Sequence, residues 1–132
     1  MIERVLLEEG RLYTLIGVRK RPGEPTTYDE FVSNFTPAEQ RKLDRAVRRL
    51  ADRGLPGNTQ KGRALRGYAN LSGIKESGLR VFWFETGERT ETGRRIIVLT
   101  HGFRKKSHRT PVREIERTEG LKTEYFATFR AQ

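Results

Sequence analysis

The stretch LRVFWFE, residues 79–85, constrains the fold more than any other part of the sequence. Successive side chains of a strand point to opposite faces, so Val81 and Trp83 share one face and Phe82 and Phe84 share the other. Both faces are therefore apolar. A strand of this kind is typical of the middle of a sheet that is covered on both sides. The pattern thus predicts a central strand with Trp83 in the core.

Two further strands are predicted around this one. Residues 73–76 precede it, and residues 95–101, which include the apolar run IIVL, follow it. Only Ser77 and Gly78 separate the first two strands, which is typical of a two-residue β-hairpin. This hairpin pairs Glu76 with Leu79, Lys75 with Arg80 and Ile74 with Val81.

The predicted hairpin places the cations of Lys75 and Arg80 side by side on one face. Directly opposed like charges in a sheet are unfavourable by up to about 1 kcal/mol. A bound anion would reverse that cost; alternatively, both side chains extend into water or pair with nearby carboxylates. Arg80 also interrupts an apolar strand face, and burial of a cation requires a partner. Arg80 is therefore a candidate functional residue, and both interpretations of the pair stay open.

The N-terminal residues are predicted to form a hairpin followed by a short helix. Residues 2–7 and 12–19 are apolar-rich runs on either side of a short polar turn, which favours two paired strands. Thr27 and Glu30 then have the spacing of a capping box, in which each side chain bonds a backbone amide of the other residue. A short helix is expected to begin there.

A longer helix is predicted between Thr36 and Gly54. Thr36 supplies a cap, Pro37 occupies the first turn and Glu39 can reach back to the cap, while Gly54 ends the helical periodicity. The apolar positions are Leu43, Ala46, Val47 and Leu50. The basic positions are Arg41, Lys42, Arg45, Arg48, Arg49 and Arg53. A charged face of this kind is more often solvated than a binding surface, so no site is predicted on it.

Composition restricts the partners and the chemistry. The 132 residues include 27 Lys and Arg against 17 Asp and Glu, and the formal net charge of +10 favours a polyanionic partner. With no cysteine and two histidines seven residues apart, no metal site and no cofactor are predicted. No membrane span and no signal peptide are recognised, so a cytoplasmic protein without a membrane partner is expected.

The most unusual segment is HGFRKKSHRTP, residues 101–111. Its titratable and cationic side chains are His101, Arg104, Lys105, Lys106, His108 and Arg109. The segment follows an apolar strand and precedes a helix that Thr110 and Pro111 are expected to begin and Gly120 to interrupt. Because free amides at a helix start add positive potential, this segment is suited to hold a phosphate.

The two histidines of this segment differ in their expected roles. His101 ends a strand, where packing against the core is typical, although it is also a candidate RNA contact. His108 lies close to Lys106 and Arg109, and an imidazole titrates near neutral pH while neighbouring cations lower its pKa. Whether His108 carries a proton or is a solvated loop residue stays open.

The order of these motifs resembles the RelE/ParE superfamily of type II toxin-antitoxin toxins, and within it the HigB-like, phage-derived Gp49-like branch. The resemblance covers residues 28–117, and its most specific part is LRVFWF followed by HGFRKKSHRTP. It implies a single α+β domain, a small twisted antiparallel sheet that packs against two helices of the N-terminal half and a C-terminal helix. An extra N-terminal hairpin would occupy residues 1–25, the family-like core 26–118 and a C-terminal tail or helix 119–132.

The resemblance also implies an endoribonuclease that cuts mRNA on the ribosome and so inhibits translation. By position, Arg80 corresponds to the family's strand arginine, and Lys105 and Lys106 to the cationic pair after its last strand. These three residues and His108 are the predicted catalytic residues. The predicted RNA contacts are Lys75, His101, Arg104 and Arg109. The implied partners are mRNA or the ribosome and a helix-turn-helix, HigA-like antitoxin; Tyr125 lies too far along the chain to match the C-terminal tyrosine of some ribonuclease members.

Two other functions are compatible with the same sequence. A ParE-like gyrase inhibitor would share the fold without cutting RNA, and the proton-transfer candidates beside the cations weigh against it. A catalytically silent phage or host protein that binds nucleic acid would need only the positive charge, and its binding would weaken steeply with salt.

Overall fold

The computed structural model describes residues 2–54, 62–64, 71–76, 79–104 and 112–129, and for 62–64 and 71–76 it describes the backbone alone. The elements along these residues are β1 (Glu3–Glu9), β2 (Tyr13–Arg19), α1 (Thr27–Val32), α2 (Pro37–Arg53), β3 (Gly62–Ala64), β4 (Leu71–Glu76), β5 (Leu79–Arg89), β6 (Arg95–Arg104) and α3 (Val112–Thr128). The predicted N-terminal hairpin, the three later strands and the helices are all present.

The strands form a six-stranded sheet with the order β1-β2-β6-β5-β4-β3. Neighbouring strands are antiparallel except β2 and β6, which run parallel. The α+β fold with an extra N-terminal hairpin is therefore confirmed, and the sheet is mixed because the hairpin joins the strands of the core alongside β6. Local sequence patterns do not reveal this parallel pairing, since it joins residues about 80 positions apart.

β5 lies between β4 and β6, and its two faces bury two separate groups of side chains. Val81 and Trp83 pack with the apolar face of α2 and with Tyr28 of α1. Phe82 and Phe84 pack on the opposite face of the sheet, with Ile115 and Tyr125 of α3. The prediction of a central strand with two apolar faces is confirmed, and the helices cover the sheet from both sides.

The caps of the first two helices are only partly as predicted. The α1 cap is Thr26, whose hydroxyl accepts a hydrogen bond from the Asp29 amide, so the predicted cap at Thr27 is wrong by one residue. The Thr27 hydroxyl donates instead to the Thr100 carbonyl on β6. The capping box of Thr36 with Glu39 and the end of α2 at Gly54 are both confirmed.

The helix α3 continues through Gly120, so the predicted interruption is wrong. Glycine inside a helix costs about 1 kcal/mol relative to alanine, which is less than burial of one large apolar side chain contributes. Ile115, Thr118 and Tyr125 are buried against the sheet before and after the glycine and hold the helix in place. The predicted helix start at Thr110 and Pro111 lies outside the described residues.

The basic connector between α2 and β4 contains one strand that the sequence did not predict. β3 pairs antiparallel with β4, from Gly62 opposite Ile74 to Ala64 opposite Ser72. Three residues are too few to show an alternating pattern, so pairing with a neighbouring strand is what defines β3. The remainder of the connector, 55–61 and 65–70, lies outside the described residues.

Candidate functional site

Three strands meet at one end of the sheet, which we call the cationic end because Lys75, Arg80 and Arg104 occupy positions there. β4 ends at Glu76, β5 begins at Leu79 and β6 ends at Arg104. Lys75 pairs with Arg80 across β4 and β5, so the predicted register of this hairpin is confirmed. The turn at 77–78 and the side chain of Lys75 lie outside what the structure describes.

Arg80 is half-buried at the start of β5. Because side chains alternate along β5, Arg80 lies on the same face as Phe82 and Phe84, which pack against α3. Arg80 pairs with Phe103 of β6. Its Nη1 donates a hydrogen bond of 3.0 Å to the Leu79 carbonyl oxygen. The guanidinium therefore stands at the end of an apolar face, on the side of the sheet that carries α3.

A β-bulge in β6 decides which side chains face each helix layer. Thr100 and His101 both lie opposite the single residue Phe82 of β5. One extra residue reverses the alternation of faces along the rest of the strand. His101 and Phe103 consequently turn towards α3, whereas Arg104 turns towards α1 and α2.

The close packing next to the bulge requires the glycine of the HGF motif. A Cβ atom on Gly102 would collide with the Arg80 carbonyl oxygen and would lie 2.7 Å from a ring carbon of Phe31. The neighbouring strand and helix α1 thus leave no room for a side chain here. Gly102 allows β5 and α1 to approach β6 next to the cationic end.

His101 is a core residue between β6 and α3, with 1% of its surface exposed. Its Nδ1 lies 3.4 Å from Oγ1 of Thr118, which is itself 3.2 Å from Oγ1 of Thr100. Its Nε2 lies 3.4 Å from Oε1 of Glu114 without forming a hydrogen bond. The ring also contacts Phe82 edge to face at 5.5 Å between centroids. The imidazole thus joins the strand to the first two turns of α3.

Burial lowers the pKa of His101, and the positive charge of Arg117 lowers it further. The Glu114 carboxylate acts in the opposite direction but does not outweigh burial. The ring is therefore neutral at neutral pH, and its position beneath α3 leaves no surface for a direct RNA contact in this conformation. The predicted role of His101 in RNA binding stays a prediction.

Replacing His101 with glutamine is expected to make the stability of the protein less sensitive to mild acid. The folded pKa lies below the unfolded value of about 6.5, so the fold favours the neutral ring. The neutral ring therefore adds to the free energy of unfolding. Its contribution is complete above about pH 6.5 and is lost as the pH falls through the lowered folded pKa of His101. Urea unfolding of both proteins from pH 8 to pH 5 measures it. Equal pH dependence in the two proteins would contradict the assigned burial.

Arg104 lies on the other side of the sheet from Arg80. Its Nη1 is 2.8 Å from Oε2 of Glu39 in the first turn of α2, and its guanidinium lies 5.1 Å from the centre of the Phe35 ring. The hydrogen bond from Arg104, followed by that from the Thr36 amide, lowers the pKa of Glu39 to about 2. The ion pair fastens the end of β6 to the capping box of α2.

The structure thus brings together Lys75 and Arg80 by register, places His101 beneath them on the α3 side, and separates Arg104 from them. The other predicted site residues, Lys105, Lys106, His108 and Arg109, lie outside the described residues. They follow directly in sequence after Arg104, where β6 ends opposite Leu79, and they precede Val112, where α3 is first described.

Within 2–54, 79–104 and 112–129, no group of three or more His, Asp or Glu side chains is arranged to hold a metal ion. Among the helices described, none combines the length and the apolar composition that crossing a bilayer demands.

Residues 30–122, more than half of the 132 residues, match the family described as Phage derived protein Gp49-like (DUF891). The chain belongs to this Gp49-like family. The family is a HigB-like branch of the RelE/ParE toxins, so the resemblance carried by the two motifs is confirmed. The matched residues include the cationic end of the sheet and most of α3, whereas the β1–β2 hairpin precedes them. None of the curated proteins compared with the chain is significantly similar to it.

Several tertiary contacts of this Gp49-like protein were not predicted from the sequence. Glu39 was predicted only as a capping residue, and Glu114 and Thr118 are ordinary helix residues in their local patterns. Only the packing of α2 and α3 on β6 gives these three side chains their partners on β6. Tyr125 is fully buried, and its hydroxyl donates a 2.8 Å hydrogen bond to Oε1 of Glu88. Burial and this carboxylate raise the pKa of Tyr125 to about 12, which fits a structural residue.

Proposed function

We propose that this Gp49-like protein is the toxin of a type II toxin-antitoxin system and an endoribonuclease that cuts mRNA, on the ribosome, and thereby inhibits translation. The observation that carries the proposal is the pairing of Lys75 with Arg80 at the end of the sheet where β6 leads into the sequence KKSHR. Family membership and the net charge of +10 support a polyanionic substrate.

The reaction that suits these residues is attack of a ribose 2′-hydroxyl on the adjacent phosphate. The 2′-oxygen forms a bond to phosphorus as the bond to the 5′-oxygen breaks, which leaves a 2′,3′-cyclic phosphate and a free 5′-hydroxyl. A base must accept the proton of the 2′-hydroxyl and an acid must protonate the leaving oxygen. The oxygens of the phosphorane gain negative charge, which nearby cations stabilise.

We assign the stabilising role to Arg80, Lys105 and Lys106. Arg80 has a planar guanidinium that can donate two parallel hydrogen bonds to a phosphate, and one of its Nη atoms is already oriented by the Leu79 carbonyl. His108 is the assigned proton carrier, because His101 is enclosed between β6 and α3. Lys75 and Arg109 would then contact the neighbouring phosphates of the RNA.

The proposed partner is a helix-turn-helix, HigA-like antitoxin that covers the cationic end with an acidic or apolar segment. Coverage of Arg80 would both neutralise the site and exclude RNA, because the two ligands would compete for the same cations. In this arrangement the antitoxin need not alter the fold of the toxin to inhibit it.

Expression of the protein without an antitoxin is expected to stop growth and to fragment cellular mRNA. Primer extension on abundant transcripts, before and after induction, would reveal new 5′ ends that are absent from an uninduced culture. Growth arrest with intact transcripts would contradict the ribonuclease assignment. Induction of the DNA-damage response in place of cleavage would instead favour the ParE-like gyrase inhibitor.

A further inference from the structure

Helix α2 carries a row of arginines along the face that points away from the core. Arg41, Arg45, Arg49 and Arg53 recur at every fourth position and are all exposed. We call these four residues the arginine ladder. At 1.5 Å per residue, the ladder extends for about 18 Å along the helix axis. The buried positions of the helix are Leu43, Ala46, Val47, Leu50 and Ala51.

The ladder has no partners within the described part of the chain. None of its four guanidinium groups forms an ion pair or a side-chain hydrogen bond there, although Arg48 on the same helix pairs with Glu8 at 3.4 Å. The exposed carboxylates of α2 do not neutralise it. Asp44 forms no ion pair among the described residues, and Asp52 accepts a hydrogen bond of 3.1 Å from the Arg11 amide instead.

Cations four residues apart on a helix repel each other and destabilise it, and the ladder contains three such pairs. Arg41 lies near the helix N-terminus, where the helix dipole also disfavours a cation, whereas Arg53 lies in the last turn, where it favours one. The repulsion has no compensating contact in the described residues. A ligand with regularly spaced anions would remove it, because each guanidinium can bind a phosphate through two hydrogen bonds.

The ladder and Arg80 lie on opposite sides of the sheet. The apolar face of α2 packs with Val81 and Trp83, while Arg80 follows the alternation of Phe82 and Phe84 towards α3. The ladder projects from the far side of α2 and is therefore separated from the cationic end by the helix and the sheet. A phosphate held at Arg80 cannot also be held by the ladder.

We propose that the arginine ladder is a second RNA-binding surface, which docks the protein on the phosphate backbone of structured RNA while the cationic end holds the strand to be cut. A regular row of guanidinium groups matches the repeated phosphates of a nucleic acid better than the irregular carboxylates of an acidic protein. The choice of RNA over DNA rests on the proposed function. The solvated face expected from the sequence is thus assigned a ligand because its arginines have no partners among the residues that the structure describes.

The test compares two triple variants with the wild-type protein. The ladder variant carries Arg41→Gln, Arg45→Gln and Arg49→Gln, which keep good helix formers in the helix. The control variant carries Lys20→Gln, Arg21→Gln and Arg89→Gln, which remove three exposed cations elsewhere. Each lowers the formal net charge by three from +10. Circular dichroism should show both variants folded, since no buried residue is changed.

Binding is measured to a 20-base-pair RNA duplex in which every ribose carries a 2′-O-methyl group. This duplex cannot be cut by attack of the 2′-oxygen, so its binding is independent of cleavage. The ladder variant is expected to bind at least about tenfold more weakly than wild type at 0.1 M salt, and its salt slope should fall by about 2 to 3 units. The control variant should lose less than about threefold.

Three outcomes would overturn the proposal. Equal losses in both variants would mean that net charge alone binds RNA. Unchanged binding by the ladder variant would mean that the ladder is a solvated face. If the ladder bound polyglutamate or a matched DNA duplex more tightly than the RNA duplex, the surface would be assigned to another partner. Absence of mRNA cleavage by the wild-type protein would instead contradict the proposed function and leave the duplex result intact.

Discussion

Replacement of Trp83 by alanine is expected to lower the free energy of unfolding by about 3 to 5 kcal/mol. The indole is 4% exposed and packs between the sheet and α2, where its loss would leave a cavity. Small domains are stable by only about 5 to 15 kcal/mol, so the variant should be partly unfolded at 37 °C and should accumulate poorly. Urea unfolding followed by circular dichroism measures the change.

Trp83→Phe is the matched control for this variant. The indole Nε1 is buried and has no hydrogen-bond partner among the described residues, so phenylalanine removes no polar contact. It keeps an aromatic ring in the core and should cost much less than alanine. A loss below about 1 kcal/mol for Trp83→Ala would contradict the assignment of Trp83 to the core. Loss of toxicity in the alanine variant should follow loss of folded protein.

Replacement of Arg80 by alanine is expected to lower the rate of mRNA cleavage by about 10²- to 10³-fold, as removal of one stabiliser of a developing charge typically does. The thermal midpoint should change little. Among the described contacts, the hydrogen bond to the Leu79 carbonyl contributes on the order of 1 to 2 kcal/mol, and removal of the cation offsets part of this by relieving repulsion with Lys75 at the paired position. Cleavage is followed by primer extension and stability by thermal unfolding.

Arg89→Ala is the control, because Arg89 lies near the other end of β5 and is exposed, with its Nη1 bonded to the Gly93 carbonyl. This variant should cleave at a rate close to that of wild type. If Arg80→Ala unfolds several degrees earlier than Arg89→Ala and loses activity in proportion to folded protein, Arg80 has a structural role. The variants at Arg80 and Trp83 thus compare a loss of catalysis with a loss of stability on the same strand.

Most of the secondary structure follows from local sequence patterns. The alternation in LRVFWFE predicts β5, and the two-residue spacer predicts the register of Lys75 with Arg80. The Thr36 cap and Gly54 bound α2 as expected. These features depend on backbone sterics and hydrogen bonds within a few residues, so neighbouring sequence is enough to determine them. The family motifs were recognisable for the same reason, since each is a short contiguous segment.

The arrangement of the site was decided by contacts between distant residues. The bulge at Thr100 and His101 turns Arg104 away from Arg80, whereas strict alternation along β6 would have placed Arg104 on the α3 side of the sheet together with Arg80. α3 is continuous through Gly120 because burial of its side chains on either side outweighs the local preference of glycine. Neither effect has a signature within a short window of sequence.

Local sequence patterns predicted the central strand, the hairpin register, the bounds of α2 and the resemblance to the Gp49-like family. Tertiary structure alone decided that the N-terminal hairpin joins β6 in parallel, that His101 is enclosed beneath α3, and that the ladder on α2 has no partner in the described residues. The physical reason is the distance along the chain over which each kind of interaction acts. Local patterns fix the dihedral angles and the polarity of a segment, but the face that a side chain presents to the site depends on the strands and helices packed around it.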